Sequence, residues 1–245
     1  MPIAPLSRRA LIAGAALLAA IGAATPAFAQ AAAWPAKPLR IIVGFPAGSS
    51  PDLTARALAD PLEKALGQPV IVDNRAGAGG NIGADAVAKA TDGHTIGLMI
   101  NGNMTIARLL NPAVRYDPLK DLAPVSLVGV APLVLTAPAS AAGGDARAFF
   151  DAARAAGDKW SYGSPGVGTV GHIGMELLKS RAGIAPVHVP YPGYPQVFNA
   201  MVGGDLQLSM LPPALANTQI KAGKLRGIGV TSSGRSTLVP DLPSL

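Results

Sequence analysis

Two short stretches concentrate the residues able to hold an anion. One is Phe45-Pro46-Ala47-Gly48-Ser49-Ser50-Pro51-Asp52, directly after a strand-like apolar run. The other is Ser164-Pro165-Gly166-Val167-Gly168-Thr169-Val170-Gly171-His172. Both are rich in Gly and Ser or Thr, and both are expected to open a helix. A helix N-terminus presents unpaired N–H groups and partial positive charge. Glycine lets the backbone approach a ligand closely, so such a turn can hold an anion without an arginine. Each stretch alone also reads as an ordinary Gly-Ser connector with a cap. Two of them, one in each half of the chain, suit a cleft that closes on its ligand.

Other chemistries fit less well. Gly166, Gly168 and Gly171 match G-x-G-x-x-G, but no acidic residue stands about 20 positions on to hold a ribose. Ser164 lacks the G-x-S-x-G frame, because Tyr162 occupies the first glycine position. A Ser164–His172 pair has no recognisable third member. His94, His172 and His188 are the only histidines and cysteine is absent. No metal-ligand spacing exists, and neither metal nor cofactor is expected. Asn101 and Asn103, after a strand expected over 95–100, are further candidates for the cleft. His172 either touches ligand or packs behind the loop, and Tyr191 either lines the cleft or packs. Asp52 reads as a helix cap that also faces ligand.

The elements that must position these loops alternate. Residues 39–45 form a near-continuous apolar run, as a buried parallel strand requires. A helix follows to about Leu66, closed by Gly67, with Pro61 expected to kink or split it. Strands are expected over 69–72 and 95–100, a helix over 80–90, and extended pieces over 122–127 and 132–137. Asp145 caps a helix with Ala148, Phe149, Ala152, Ala153 and Ala156 on one stripe. Strand and helix then alternate through 159–162, 169–182, 186–189, 194–201, 206–210, 213–221 and 225–231. Such alternation implies parallel α/β sheets covered on both faces. The strand count implies two α/β domains.

Composition bounds the rest. The 245 residues are 49% hydrophobic and 14% charged, with 29 Gly and 23 Pro. That argues for packed domains with many tight connections. The net charge of +6 is scattered, with no clustered Lys, Arg and aromatics, so nucleic-acid binding is not expected. Arg8-Arg9, an apolar run over 10–21 and Ala27-Phe28-Ala29 read as a cleavable export signal. Export would follow the general secretory or the twin-arginine route. The mature chain is expected to start at Gln30 and to reside in the periplasm.

In these loops and beyond them the sequence resembles the Bug-type receptors, the extracytoplasmic binding proteins of tripartite tricarboxylate transporters. The matching stretches include Trp34-Pro35-Ala36-Lys37-Pro38, Phe45–Gly48 with Asp52, Gly67-Gln68-Pro69-Val70 and Asp73-Asn74-Arg75. They continue through 77–90, Tyr116-Asp117-Pro118, 164–172, Val189-Pro190-Tyr191, 220–225 and 235–243. The resemblance implies an α/β two-domain periplasmic binding protein-like (type II) fold. A small mono-, di- or tricarboxylate, or an acidic amino acid, would sit in its interdomain cleft. Ala47, Gly48, Ser49 and Asp52 would form one wall, and Ser164, Gly166, Gly168 and Thr169 the other. Membrane permease subunits would be the partners of a monomeric, non-catalytic receptor. A sensor feeding a signalling partner, an exported hydrolase using Ser164 and a non-functional truncated member are the alternatives. Two departures stand out. Ser49 replaces a frequent second glycine, and Gln207 replaces a frequent acidic residue. The domains expected are 30–130 and 131–224, with 225–245 a strand returning toward the first domain and cut short.

Overall fold

The computed structural model describes residues 34–141 and 144–245, so the export signal expected over 1–29 lies outside the described residues. The unit Lys37–Leu245 carries two sheets. In the first, β1 (Leu39–Val43) is central and pairs in parallel with β2 (Val70–Asn74) and β3 (Thr95–Leu98). Helix α1 (Ser50–Leu66) connects β1 to β2. Gly67 ends it in the left-handed conformation, its N–H bonded to Glu63 O. Pro61 lies inside this helix without splitting it. Helix α2 (Asn81–Ala88) connects β2 to β3, and two short helices follow, α3 (Asn101–Thr105) and α4 (Ala107–Leu110).

The second sheet has the order β6-β5-β7-β4-β8. Its strands are β4 (Val134–Pro138), β5 (Ser161–Ser164), β6 (Val187–Pro190), β7 (Leu208–Leu211) and β8 (Leu225–Val230). β5 runs parallel to β6 and β7, while β4 runs antiparallel to β7 and β8. Helices α5 (Ala146–Ala156), α6 (Val170–Ala182), α7 (Tyr194–Gly203) and α8 (Pro213–Lys221) connect them. Asp145 caps α5 as its sequence requires, accepting from Ala148 N–H. Phe149 and Ala153 from the expected stripe are buried.

Two expected elements differ. Residues 122–127 form no strand, and Val125, Leu127 and Val130 are exposed. Apolar, β-prone residues make a strand only where a neighbouring edge takes their backbone groups, and none does so among the described residues. The stretch expected to return toward the first domain is instead β8, an edge strand of the second sheet. Its partner there is β4.

Close glycine contacts set the first sheet's loops in place. A Cβ on Gly83 of α2 would lie 2.6 Å from Gly44 Cα, and one on Gly44 would lie 2.5 Å from Gly80 O. The start of α2 therefore rests directly on the end of β1. Alanine at a helical position gains about 1 kcal/mol over glycine, but crowding against backbone costs about 1–3 kcal/mol. We expect Gly83→Ala to lower the urea midpoint despite its better helix propensity; a raised midpoint would show that the contact yields.

Candidate functional site

The loop after β1 is built around a buried carboxylate. Asp52 is not the N-cap of α1. That position belongs to Ser49, whose side chain makes no capping bond. Asp52 lies in the first turn, 1% exposed. Its Oδ2 accepts from Gly48 N–H at 2.8 Å and from Arg56 Nε at 3.1 Å. Its Oδ1 accepts from Asn74 Nδ2 at 2.9 Å and lies 3.0 Å from the Arg56 guanidinium. Asn74 also donates to Phe45 O. Burial alone would raise the carboxyl, but donors from Arg56, Gly48 and Asn74 outweigh it and hold it below the usual carboxylate range. Asp52 thus braces the loop with both oxygens engaged. Ser49 is different. It is 2% exposed, and its Oγ is buried with no hydrogen-bond partner.

The loop after β5 is braced the same way. Thr169 caps α6 by position, yet its hydroxyl donates to Gly166 O at 2.7 Å rather than to the helix. Ser164 Oγ accepts from Gly166 N–H at 3.2 Å and lies 2.7 Å from His188 Nε2. The Ser164–His172 pairing weighed from sequence is not formed; His172 Nδ1 accepts instead from Gly168 N–H at 3.2 Å. Both hydroxyls are turned onto the loop's own backbone. What the loop can offer a ligand is therefore the first-turn N–H groups of α6.

The two loop systems meet at glycines, in two places backbone against backbone. A Cβ on Gly102 would lie 2.3 Å from Gly168 O, one on Gly166 would lie 2.9 Å from Gly79 Cα, and one on Gly193 would lie 3.0 Å from Pro46 Cδ. At Gly102 and Gly166 the facing atoms are backbone, so only glycine allows such approach, and the loops of the two sheets touch as in a closed cleft. Asn103 supports it from the first sheet's side. Buried, it donates to Gly79 O at 3.0 Å and to Asn81 Oδ1 at 2.8 Å. Asn101 is exposed and accepts from Gly102 N–H.

A cavity of about 590 Å³ lies where these segments meet. Gly77–Gly79 and Asn81 line one side, Gly166 and Val167 another, and Tyr191 with its flanking prolines a third. Ala107, Leu110 and Asn111 complete it, and the lining holds no Asp, Glu, His, Lys or Arg. Tyr191 is held there by its N–H, which donates to Ser164 O at 2.9 Å. Of the residues named from sequence, Gly166 and Tyr191 line this cavity. Ala47, Gly48, Ser49, Asp52, Asn101, Asn103, Ser164, Gly168, Thr169 and His172 are not among its lining residues. Several of them instead hold the surrounding loops in shape. The Gly77–Gly79 turn was not singled out as a wall. Its signal was present: a glycine-rich run directly after β2 and before α2. There Ala78 holds φ at +50°, a conformation costly for a residue with a side chain.

Comparison with known proteins supplies the context. Residues 54–245 match the family model described as tripartite tricarboxylate transporter family receptor. Protein BugT of Bordetella pertussis is 37% identical over 93% of this chain and 70% of its own length. The solved periplasmic binding protein BugD is 30% identical, with a TM-score of 0.81 over 86% of this chain and 71% of BugD. Rpa4515 of R. palustris, solved with adipate, is also 30% identical. Its TM-score is 0.83 over 86% of this chain and 71% of that one.

Proposed function

The chain belongs to the tripartite tricarboxylate transporter family of receptors, and from that premise we propose that it captures a small carboxylate in the periplasm. It would deliver that ligand to membrane permease subunits, without chemical change. The observation that carries this reading is the meeting of two glycine-built loops over a cavity lined by no Asp, Glu, His, Lys or Arg. Helix N-termini and backbone N–H groups can hold a carboxylate there. The adipate in Rpa4515 supports the ligand class. Among the described residues no helix is long and apolar enough to cross a membrane.

A thermal-shift panel of mono-, di- and tricarboxylates and acidic amino acids tests the reading. A ligand at 100 times its Kd adds about 2.7 kcal/mol to the folded state. We expect one carboxylate class to raise Tm selectively. A cooperative melt that no carboxylate moves would sink the proposal.

One observation favours a second reading, an exported hydrolase: the 2.7 Å contact between Ser164 and His188. Against it, Ser164 is fully buried and its hydroxyl also engages Gly166. A nucleophile must reach its substrate. Turnover of acyl esters lost in Ser164→Ala would favour the hydrolase.

A further inference from the structure

Beneath the Gly166–Gly168 turn lies a stack of three rings that anion capture does not itself use. Tyr162 from β5 stacks on His188 from β6, with centroids 4.8 Å apart, and His188 faces His172 of α6 at 4.4 Å. Each imidazole holds the loop. His188 Nε2 meets Ser164 Oγ, which accepts Gly166 N–H, and His172 Nδ1 accepts Gly168 N–H directly.

The second bond dictates a protonation state. A ring nitrogen that accepts from a backbone N–H carries no proton, so His172 is neutral with its hydrogen on Nε2. A further proton can be added only at Nδ1. It would break the bond and set one N–H against another. We propose that His172 is a positioning residue: neutral, it anchors Gly168 in the geometry of the closed cleft, and protonated, it releases the loop. The effect on affinity rests on the capture reading; the effect on the loop does not.

The charged groups around the pair are few. Glu176 and Lys179, both on α6, act on both imidazoles. From β5 comes Tyr162, whose hydroxyl donates to Glu176 Oε1 at 2.6 Å. Burial, and then the neighbouring imidazole, bring His188 down to about 4. Burial also lowers His172, with Glu176 opposing. The neutral pair is thus the state at neutral pH. The unfolded chain takes up protons first on acidification, near the ordinary histidine value of about 6.5. Stability therefore falls as pH drops from there toward the folded values.

The test is ¹⁵N NMR on the full chain, following the imidazole nitrogens of His172 and the protection factor of the Gly168 amide on acidification. Asparagine at 172 keeps an acceptor but cannot titrate; leucine removes the acceptor. We expect Gly168 protection in the unmodified chain to fall about tenfold or more as His172 takes up its proton. It should hold in His172→Asn and be low throughout in His172→Leu. Adipate titrations at neutral and acidic pH add the affinity readout, and His172→Asn controls for the ligand's own titration. The unmodified chain should lose about tenfold more affinity on acidification than His172→Asn. Gly168 protection that stays constant while His172 titrates, or that falls equally in His172→Asn, overturns the proposal. If adipate binds neither protein at any pH, its use as a ligand fails while the amide measurement still decides the role of His172.

Discussion

Gly102→Ala will weaken ligand binding by about a hundredfold, roughly 2.7 kcal/mol, while leaving the unliganded protein folded. Gly102 lies in α3 and is not among the residues with positive φ, so its backbone tolerates a side chain. The added methyl has nowhere to go once the cleft shuts: its carbon would sit 2.3 Å from Gly168 O. That neighbour is backbone and cannot swing aside as a side chain would. The cost falls on the closed state alone, which is where a receptor's binding energy is realised. Gly129→Ala is the control, since nothing lies within 4 Å of its added Cβ. The measurement is calorimetric affinity for whichever carboxylate shifts the melt of the unmodified chain, beside the unliganded Tm. Unchanged affinity in Gly102→Ala would mean that ligand is held without the contact between Gly102 and Gly168.

Much of this architecture is legible in residue order. The apolar run into β1, the Gly67 stop of α1 and the Asp145 cap of α5 are local signals, and the structure uses them as local chemistry dictates. Both anion-prone loops fall at strand-to-helix junctions for the same reason. Side-chain direction was not legible. Thr169 and Ser164 look like ligand hydroxyls in sequence, yet both turn inward, because the Gly166 carbonyl and amide need partners once the loop is buried. The His188 contact joins residues on different strands and has no local sequence signature. The fate of 122–127 depends on which edges are free, a property of the whole sheet rather than of its own residues. The wall formed by Gly77–Gly79 was hidden differently. Its glycines read as a turn, and only the approach of Gly166 to Gly79 shows why they must be glycine.

Asp52 shows how far a residue that looks like a ligand contact can instead be the frame, and the second large effect follows from it. Gly48 N–H, the Arg56 guanidinium and Asn74 Nδ2 all converge on its two oxygens. Asparagine has nearly the same shape but offers one oxygen and one NH₂. At least one donor must then face another donor in a buried site, and hydrogen bonds to a charged group contribute about 1.5–3 kcal/mol. Arg56 is half exposed, so water recovers part of its loss. We expect Asp52→Asn to destabilise the chain by about 2–3 kcal/mol at neutral pH. The pH dependence has a definite sign. The folded carboxyl titrates below the ordinary 3.8. Its contribution is therefore present above that value and disappears as pH falls through the lower folded value. Urea unfolding of both proteins at neutral pH, and again in acid where each remains folded, should show the gap narrowing. A gap of equal size at both pH values would assign the loss to packing and leave the carboxylate's charge without a role in bracing the loop.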